Sequence, residues 1–148
     1  MNLEVHIYTE PPTEFAPKVE VAASYIRVGR KLLFMERAGN DESGFWGVPG
    51  GKIEADEHPL KGAQRELLEE TGIDLPLAAF RVLGKLFIRK PTIDYVYHLF
   101  GIDLLDYPKV ILSHEHAAFA WVDKEELEKL NLMKGALSLQ TFYETFNQ

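Results

Sequence analysis

The chain has 148 residues and a mass of 16.9 kDa, with 46% hydrophobic and 26% charged residues. That is one domain's worth of chain with an ordinary globular composition, able to bury about 68–70% of its unfolded surface without a disulfide or a structural metal. It has no cysteine and carries 23 acidic against 16 basic residues, a net charge of −7. This excludes a disulfide scaffold, a thiolate metal site and a cysteine nucleophile, and it argues against long nucleic acids and anionic membranes as partners.

No apolar run approaches the ~20 residues of a membrane span. The start, Met1-Asn2-Leu3-Glu4, lacks the basic and apolar character of a secretory leader, so the expectation is a cytoplasmic protein. Leu3, Val5 and Ile7 alternate with polar residues and predict a short half-buried strand. A proline-bearing stretch at 11–17 follows, so 1–18 reads as a strand and arm on a single domain filling 1–148. The same strand is a candidate for pairing across a homodimer.

Residues 19–28 are β-branched and aromatic and predict a strand. Gly29-Arg30 reads as a hairpin turn into a second strand at 32–35. The stretch from Gly39-Asn40-Asp41 to Gly44 reads as a loop, and 45–48 as a short apolar strand stopped by Pro49-Gly50-Gly51. A helix is predicted over 59–71, with Pro59 suited to the first helical position and Gly72 to the left-handed position past the end. Long strands are expected at 80–89 and 93–104, and short ones at 110–112 and 119–122. Asp123 is a good N-cap for a helix at 124–130, with Glu126 completing a capping box. A C-terminal helix is expected at 137–146. Intermixed strands and helices imply an α/β or α+β class with a mixed sheet.

The chemically informative segment is 51–73, GKIEADEHPLKGAQRELLEETGI. At about 100° per residue, Glu66, Glu69 and Glu70 fall on one side of the 59–71 helix, while Leu60, Ala63 and Leu67 form a packing face roughly a quarter turn away. Gly62, one turn before Glu66, is expected to leave room beside it. Two readings of the acidic face are open: a solvated surface, or a bound cation. The surface reading has local costs, since like charges at i,i+4 destabilise a helix and acids in the last turns oppose its dipole. A hard divalent ion such as Mg²⁺ would offset both.

These residues resemble the Nudix signature G-x5-E-x7-R-E-U-x-E-E-x-G-U, in which U is bulky and apolar. Its fixed letters are Gly51, Glu57, Arg65, Glu66, Glu69, Glu70 and Gly72, with Leu67 and Ile73 in the U positions. At about 7% per letter, a chance match at a given start is on the order of 10⁻⁸. The lead-in Trp46-Gly47-Val48-Pro49-Gly50 and the run Ala120-Trp121-Val122 before Glu125-Glu126-Leu127 also resemble the family. Two departures stand outside the ligand positions: His58 where Ser or Thr often caps the helix, and Gly62 where Ala is common.

The resemblance implies an α/β fold of Nudix type, an α/β/α sandwich with a mixed β-sheet and a loop–helix–loop box. It implies Mg²⁺-dependent, or Mn²⁺-dependent, hydrolysis of a nucleoside diphosphate linked to another moiety. By position, Glu66, Glu69, Glu70 and the Gly51 carbonyl would be metal ligands. Glu57 would support the metal directly or through water, and Arg65 would hold a box glutamate in place. Glu115, in the loop Ser113-His114-Glu115-His116, is the candidate general base, against an ordinary loop glutamate. His114 and His116 make a weak zinc pair and are expected at the surface or near substrate. Stacking partners for a base are sought among Tyr25, Phe45, Trp46, Phe87, Tyr95, Tyr97 and Trp121, most of which must be core. Phosphate contacts are sought among Arg27, Arg37, Lys52 and Arg89.

The favoured substrate is a small-molecule nucleotide, a nucleoside triphosphate or a relative of one. A nucleotide sugar or other NDP-X, or a non-catalytic nucleotide-binding module on the same fold, is the alternative. Against the module stands the intact box; an isoprenoid isomerase on this fold would need the cysteine that the chain lacks.

Overall fold

The computed structural model describes residues 4–39 and 43–147. Its elements are β1 (His6–Tyr8), β2 (Pro17–Val28), β3 (Lys31–Arg37), β4 (Trp46–Gly47), β5 (Gly50–Lys52), α1 (Pro59–Thr71), β6 (Arg81–Lys90), β7 (Ile93–Leu104), β8 (His116–Val122), α2 (Lys124–Leu127) and α3 (Ala136–Phe146), with a 3₁₀ turn at Leu77–Ala79. The strands form one mixed sheet in the order β1-β6-β7-β2-β3-β4, with β5 on β2 and β8 on β3.

The centre of the sheet is β2, which runs parallel to β7 from Pro17↔Asp94 to Val28↔Leu104. Its buried stretch, 22–26, is apolar on both faces but for Ser24, as suits a strand covered on both sides. Ala22 and Ile26 face α1, packing with Leu33, Phe100 and Ile102 against Ala63 and Leu67 of the helix. Ala23 and Tyr25 face the other way, with Phe34, Leu86 and Leu99, against Leu139 and Tyr143 of α3 and Leu127 of α2. Helices therefore cover both faces of a mixed sheet, and the expected α/β/α sandwich is present. A fully buried leucine such as Leu67 contributes about 1.5–3 kcal/mol to holding α1 in place.

The sheet opens where the site lies. β2 and β3 pair only at Arg27↔Leu32 and Val28↔Lys31, around the Gly29-Arg30 turn, and then part. Past that point β2 takes β5 as its partner and β3 takes β4 and β8. The 50–52 stretch, expected to stop a strand, is thus itself a strand. Glycine makes this possible, because a Cβ at Gly50 would stand 2.6 Å from the Ala22 carbonyl.

Other expectations need correction. The 110–112 segment forms no strand: the Ile111 and Ser113 amides donate to the Thr71 and Glu70 carbonyls at 2.8 and 3.3 Å. Its backbone satisfies the end of α1, whose last carbonyls have no partner within the helix. The helix expected at 124–130 ends at Leu127, though Asp123 and Glu126 do form the capping box. His58 caps α1 after all, its Nδ1 accepting from the Leu60 amide at 3.1 Å. The space at Gly62 lies beside Glu57 and Ile53, not Glu66.

Of the first predicted strand, Leu3 lies outside the described residues. Ile7 belongs to β1, which pairs with β6 of the same chain. The arm after it is pinned by Phe15 edge-on to Phe87 and by the Ala16 amide donating to Asp94. Asn40 and Asp41 of the 39–44 loop also lie outside the described residues. Among the described residues no helix is long and apolar enough to cross a membrane.

Candidate active site

The site is assembled from the last turns of α1, the glycines before the helix and the loop entering β8. Arg65 is its organiser. Its Nε and Nη2 donate to the two Glu57 oxygens at 2.8 and 2.9 Å, a bidentate pair. Nη1 donates to Glu66 at 3.1 Å and to Glu69 at 3.3 Å, and Nη2 reaches the Lys52 carbonyl at 3.2 Å. Glu57 also accepts from the Glu54 amide. The guanidinium beside it, with that amide, holds the Glu57 carboxyl down at about 2.

Glu66 lies flat against Gly51, where an added Cβ would stand 2.5 Å from its carboxyl carbon. Only glycine allows this approach, which brings the Gly51 backbone and the Glu66 oxygens together. Glu70 is 4% exposed and accepts from the Gly50 amide at 2.8 Å. Burial, only partly offset by that hydrogen bond and reinforced by the charges of Glu66 and Glu115, pushes its carboxyl up to about 8. Burial also raises Glu66 against the pull of Arg65.

Glu115 sits across from these groups on a loop tied to the end of β3, its carbonyl accepting from the Ala38 amide at 2.8 Å. Of the two positions expected for His116, the surface and the neighbourhood of the substrate, the surface one does not hold. The residue begins β8 and is buried, with Nε2 4.0 Å from a Glu70 oxygen, and burial lowers its pKa toward the neutral form.

Glu66, Glu69, Glu70 and Glu115 all line one end of a cavity of about 800 Å³, with Gly50 and Gly51 between them. The rest of the cavity runs over the α3 side of β2 and β7, past Val21, Ala23, Tyr25, Tyr95 and Tyr97, under Met133 and Leu139. Of the aromatic candidates, Tyr25, Tyr95 and Tyr97 therefore reach the cavity, whereas Phe45, Trp46, Phe87 and Trp121 are not on its wall. Of the cationic candidates, Arg37 and Lys52 line it; Arg27 is paired with Asp103 and Arg89 with Asp94 elsewhere. Sequence reasoning missed Lys90, Met133 and Lys134, which also line it. Lys90 falls between the strands predicted at 80–89 and 93–104, and 133–134 carries no motif.

The donor set fits a hard divalent cation: carboxylates and a backbone carbonyl, with no thiolate. Among the described residues no three acidic or histidine side chains already converge as a cage. Arg65 supplies the positive charge to Glu66 and Glu69, and a cation would take over part of that partnership.

Comparison with known proteins bears on the same segment. The family model for the NUDIX domain matches residues 17–146. The chain belongs to the Nudix family. CTP pyrophosphohydrolase of Escherichia coli K12 is 31% identical over 109 residues, 73% of this chain and 78% of that protein. Phosphatase NudJ of Shigella boydii is 31% identical over 127 residues, 83% and 79% of the two chains. The crystal structure of a MutT protein from Methanosarcina mazei superposes with a TM-score of 0.72 at 26% identity, covering 88% of this chain and 94% of the other. Further matches span only 27–38% of longer proteins. As a Nudix protein that matches hydrolases over more than three quarters of their length, the chain is an enzyme of the Nudix hydrolase class.

Proposed function

We propose that this Nudix enzyme hydrolyses a phosphoanhydride bond of a nucleoside diphosphate linked to another moiety, with Mg²⁺ or Mn²⁺, and that a nucleoside triphosphate or related nucleotide is its favoured substrate. The observation that carries this reading is the division of one cavity: four carboxylates at one end, an apolar and tyrosine-lined floor at the other. A diphosphate belongs with the cations that those carboxylates recruit, and an organic moiety belongs on the floor. The likeness to a protein named for CTP supports a triphosphate.

When bound, the divalent ion neutralises the diphosphate and makes a nucleophile of water at neutral pH. The chain's own residues supply the rest. Glu66, Glu69, Glu70 and the Gly51 carbonyl offer the oxygen ligands. Glu57 acts through Arg65: both its oxygens are held by the guanidinium, which in turn sets Glu66 and Glu69. Glu115, which lines the same cavity, is the base in this reading: it accepts the proton of the attacking water as that water's oxygen joins phosphorus and the anhydride P–O bond breaks.

The test is a panel of nucleoside triphosphates, nucleotide sugars and dinucleotides with Mg²⁺ or Mn²⁺ and identification of the products. Release of pyrophosphate or phosphate from a triphosphate is the expected result. No phosphate-containing product from any member would refute the substrate class, and full turnover in Glu69→Gln and Glu70→Gln would refute the ligand set.

A further inference from the structure

Tyr25 and Tyr97 both line the cavity, and they are 2% and 7% exposed. In the β2–β7 register Tyr25 stands beside Gly101 and Tyr97 beside Val21, with Ala23 beside Leu99 between them. Their hydroxyls nevertheless meet at 3.1 Å, so the two rings lean toward each other along the strands over the Ala23–Leu99 pair. Ala23 is also the register partner of Gly50, whose amide holds Glu70. One strand spacing, about 5 Å, separates the base of the tyrosine pair from the backbone of the carboxylate cluster.

Two phenols bring two protons. One proton bridges the two oxygens, and among the described residues neither hydroxyl has another hydrogen-bond partner. One donor is therefore left over on a group more than nine-tenths buried, where an unsatisfied donor costs about 1–3 kcal/mol. The phenols stay neutral here, since burial raises both of them. The neighbouring Val21, Ala23 and Leu139 carry no acceptor side chain, and neither Tyr143, stacked on Tyr25, nor Tyr95 makes a hydrogen bond to either hydroxyl.

We propose that the Tyr25–Tyr97 pair presents this proton to an uncharged oxygen on the organic end of the substrate, a ribose hydroxyl or a base carbonyl, and so selects nucleotides over simpler phosphoanhydrides. The proposal rests on the hydrolase reading for the placement of the phosphates at the carboxylate end. It adds two specificity-determining residues that are outside the box.

The experiment is direct binding, which needs no turnover. Wild type and Tyr25→Phe/Tyr97→Phe are titrated calorimetrically, with Mg²⁺ present, against an α,β-methylene nucleoside triphosphate and against methylenediphosphonate, which has no organic end. Removing both hydroxyls leaves two apolar rings of the same shape, so folding is retained, checked by the melting temperature. The expected result is affinity for the nucleotide weakened about three- to tenfold with affinity for methylenediphosphonate unmoved. A 2′,3′-dideoxy analogue loses the same factor in wild type, and nothing further in the variant, if the acceptor is on the ribose. If it keeps full wild-type affinity, the base carbonyl is the acceptor. Equal nucleotide affinity in variant and wild type, or an equal loss for both ligands, overturns the proposal. A wild-type protein that binds methylenediphosphonate but no nucleotide overturns it too, while absence of turnover on the whole panel strikes the hydrolase reading instead.

Discussion

Glu70→Gln separates what the fold wants from what the site requires. The Glu70 carboxyl is buried, with one amide donor and two like charges near it, and titrates at about 8 instead of its ordinary 4.5. A carboxyl whose folded-state pKa is raised favours folding in its neutral form. Its contribution is fully present below pH 4.5 and is lost progressively as pH rises to about 8. Between pH 4.5 and pH 7 the loss is about 3 kcal/mol, at ~1.4 kcal/mol per pH unit. Glutamine keeps the shape and an acceptor for the Gly50 amide but carries no charge. In chelator at pH 7 to 8, Glu70→Gln should therefore be more stable than wild type, by up to about 6–12 °C in Tm for a domain of this size. At pH 4.5 the two should coincide. With Mg²⁺ the order changes: wild type gains stability from the ion, and the variant gains little and turns over poorly. Thermal unfolding at pH 4.5 and pH 8, with chelator and with Mg²⁺, reads all of this. A variant no more stable than wild type at pH 8 in chelator would refute the buried-charge reasoning. A variant with the full Mg²⁺ increment would refute Glu70 as a ligand.

Gly51→Ala forces a Cβ against the Glu66 carboxyl, and because that is the end of a flexible side chain, the fold survives while Glu66 swings away; Mn²⁺ affinity measured by electron paramagnetic resonance should fall about tenfold or more, as for supporting residues of metal sites. Arg65→Lys keeps the charge but loses the bidentate grip on Glu57 and the simultaneous reach to Glu66 and Glu69, so kcat should drop while the melting temperature shifts by only a few degrees. Unfolding in acid should reveal the opposite sign to Glu70: Glu57 and Asp94, held at about 2 by Arg65 and Arg89, contribute stability above their ordinary pKa values that is lost as pH falls toward 2, and Asp94→Asn should flatten that part of the pH profile. Glu115→Gln should lower kcat by about 10²–10⁴-fold with metal affinity nearly intact if it is the base; an unchanged kcat would assign that role elsewhere.

Much of this site is local in sequence. Glu66, Glu69 and Glu70 share a side of α1 because of helical period alone, and Pro59 and Gly72 mark its ends in the residues themselves, so helix and acidic face could be read directly. The sequence could not say which face of the sheet the substrate would occupy. That follows from β2 parting from β3 after two register pairs, which lets carboxylates from the α1 side reach a cavity on the α3 side. Nor could periodicity tell that 110–112, apolar like a strand, would spend its amides on the end of α1, or that 50–52 would find a strand partner in β2.

The amino-acid sequence by itself determined the family, the order of the main elements and the identity of the carboxylates, since each is carried by spacing along the chain. The tertiary structure decided how those carboxylates differ. Glu57 is clamped by Arg65, Glu70 is buried and raised, and Glu115 is carried to them from a loop far along the chain. It also decided that Tyr25 and Tyr97, 72 positions apart, share one hydrogen bond beneath the substrate cavity. Burial and non-local pairing set those energies, and neither is a property of any stretch of sequence taken alone.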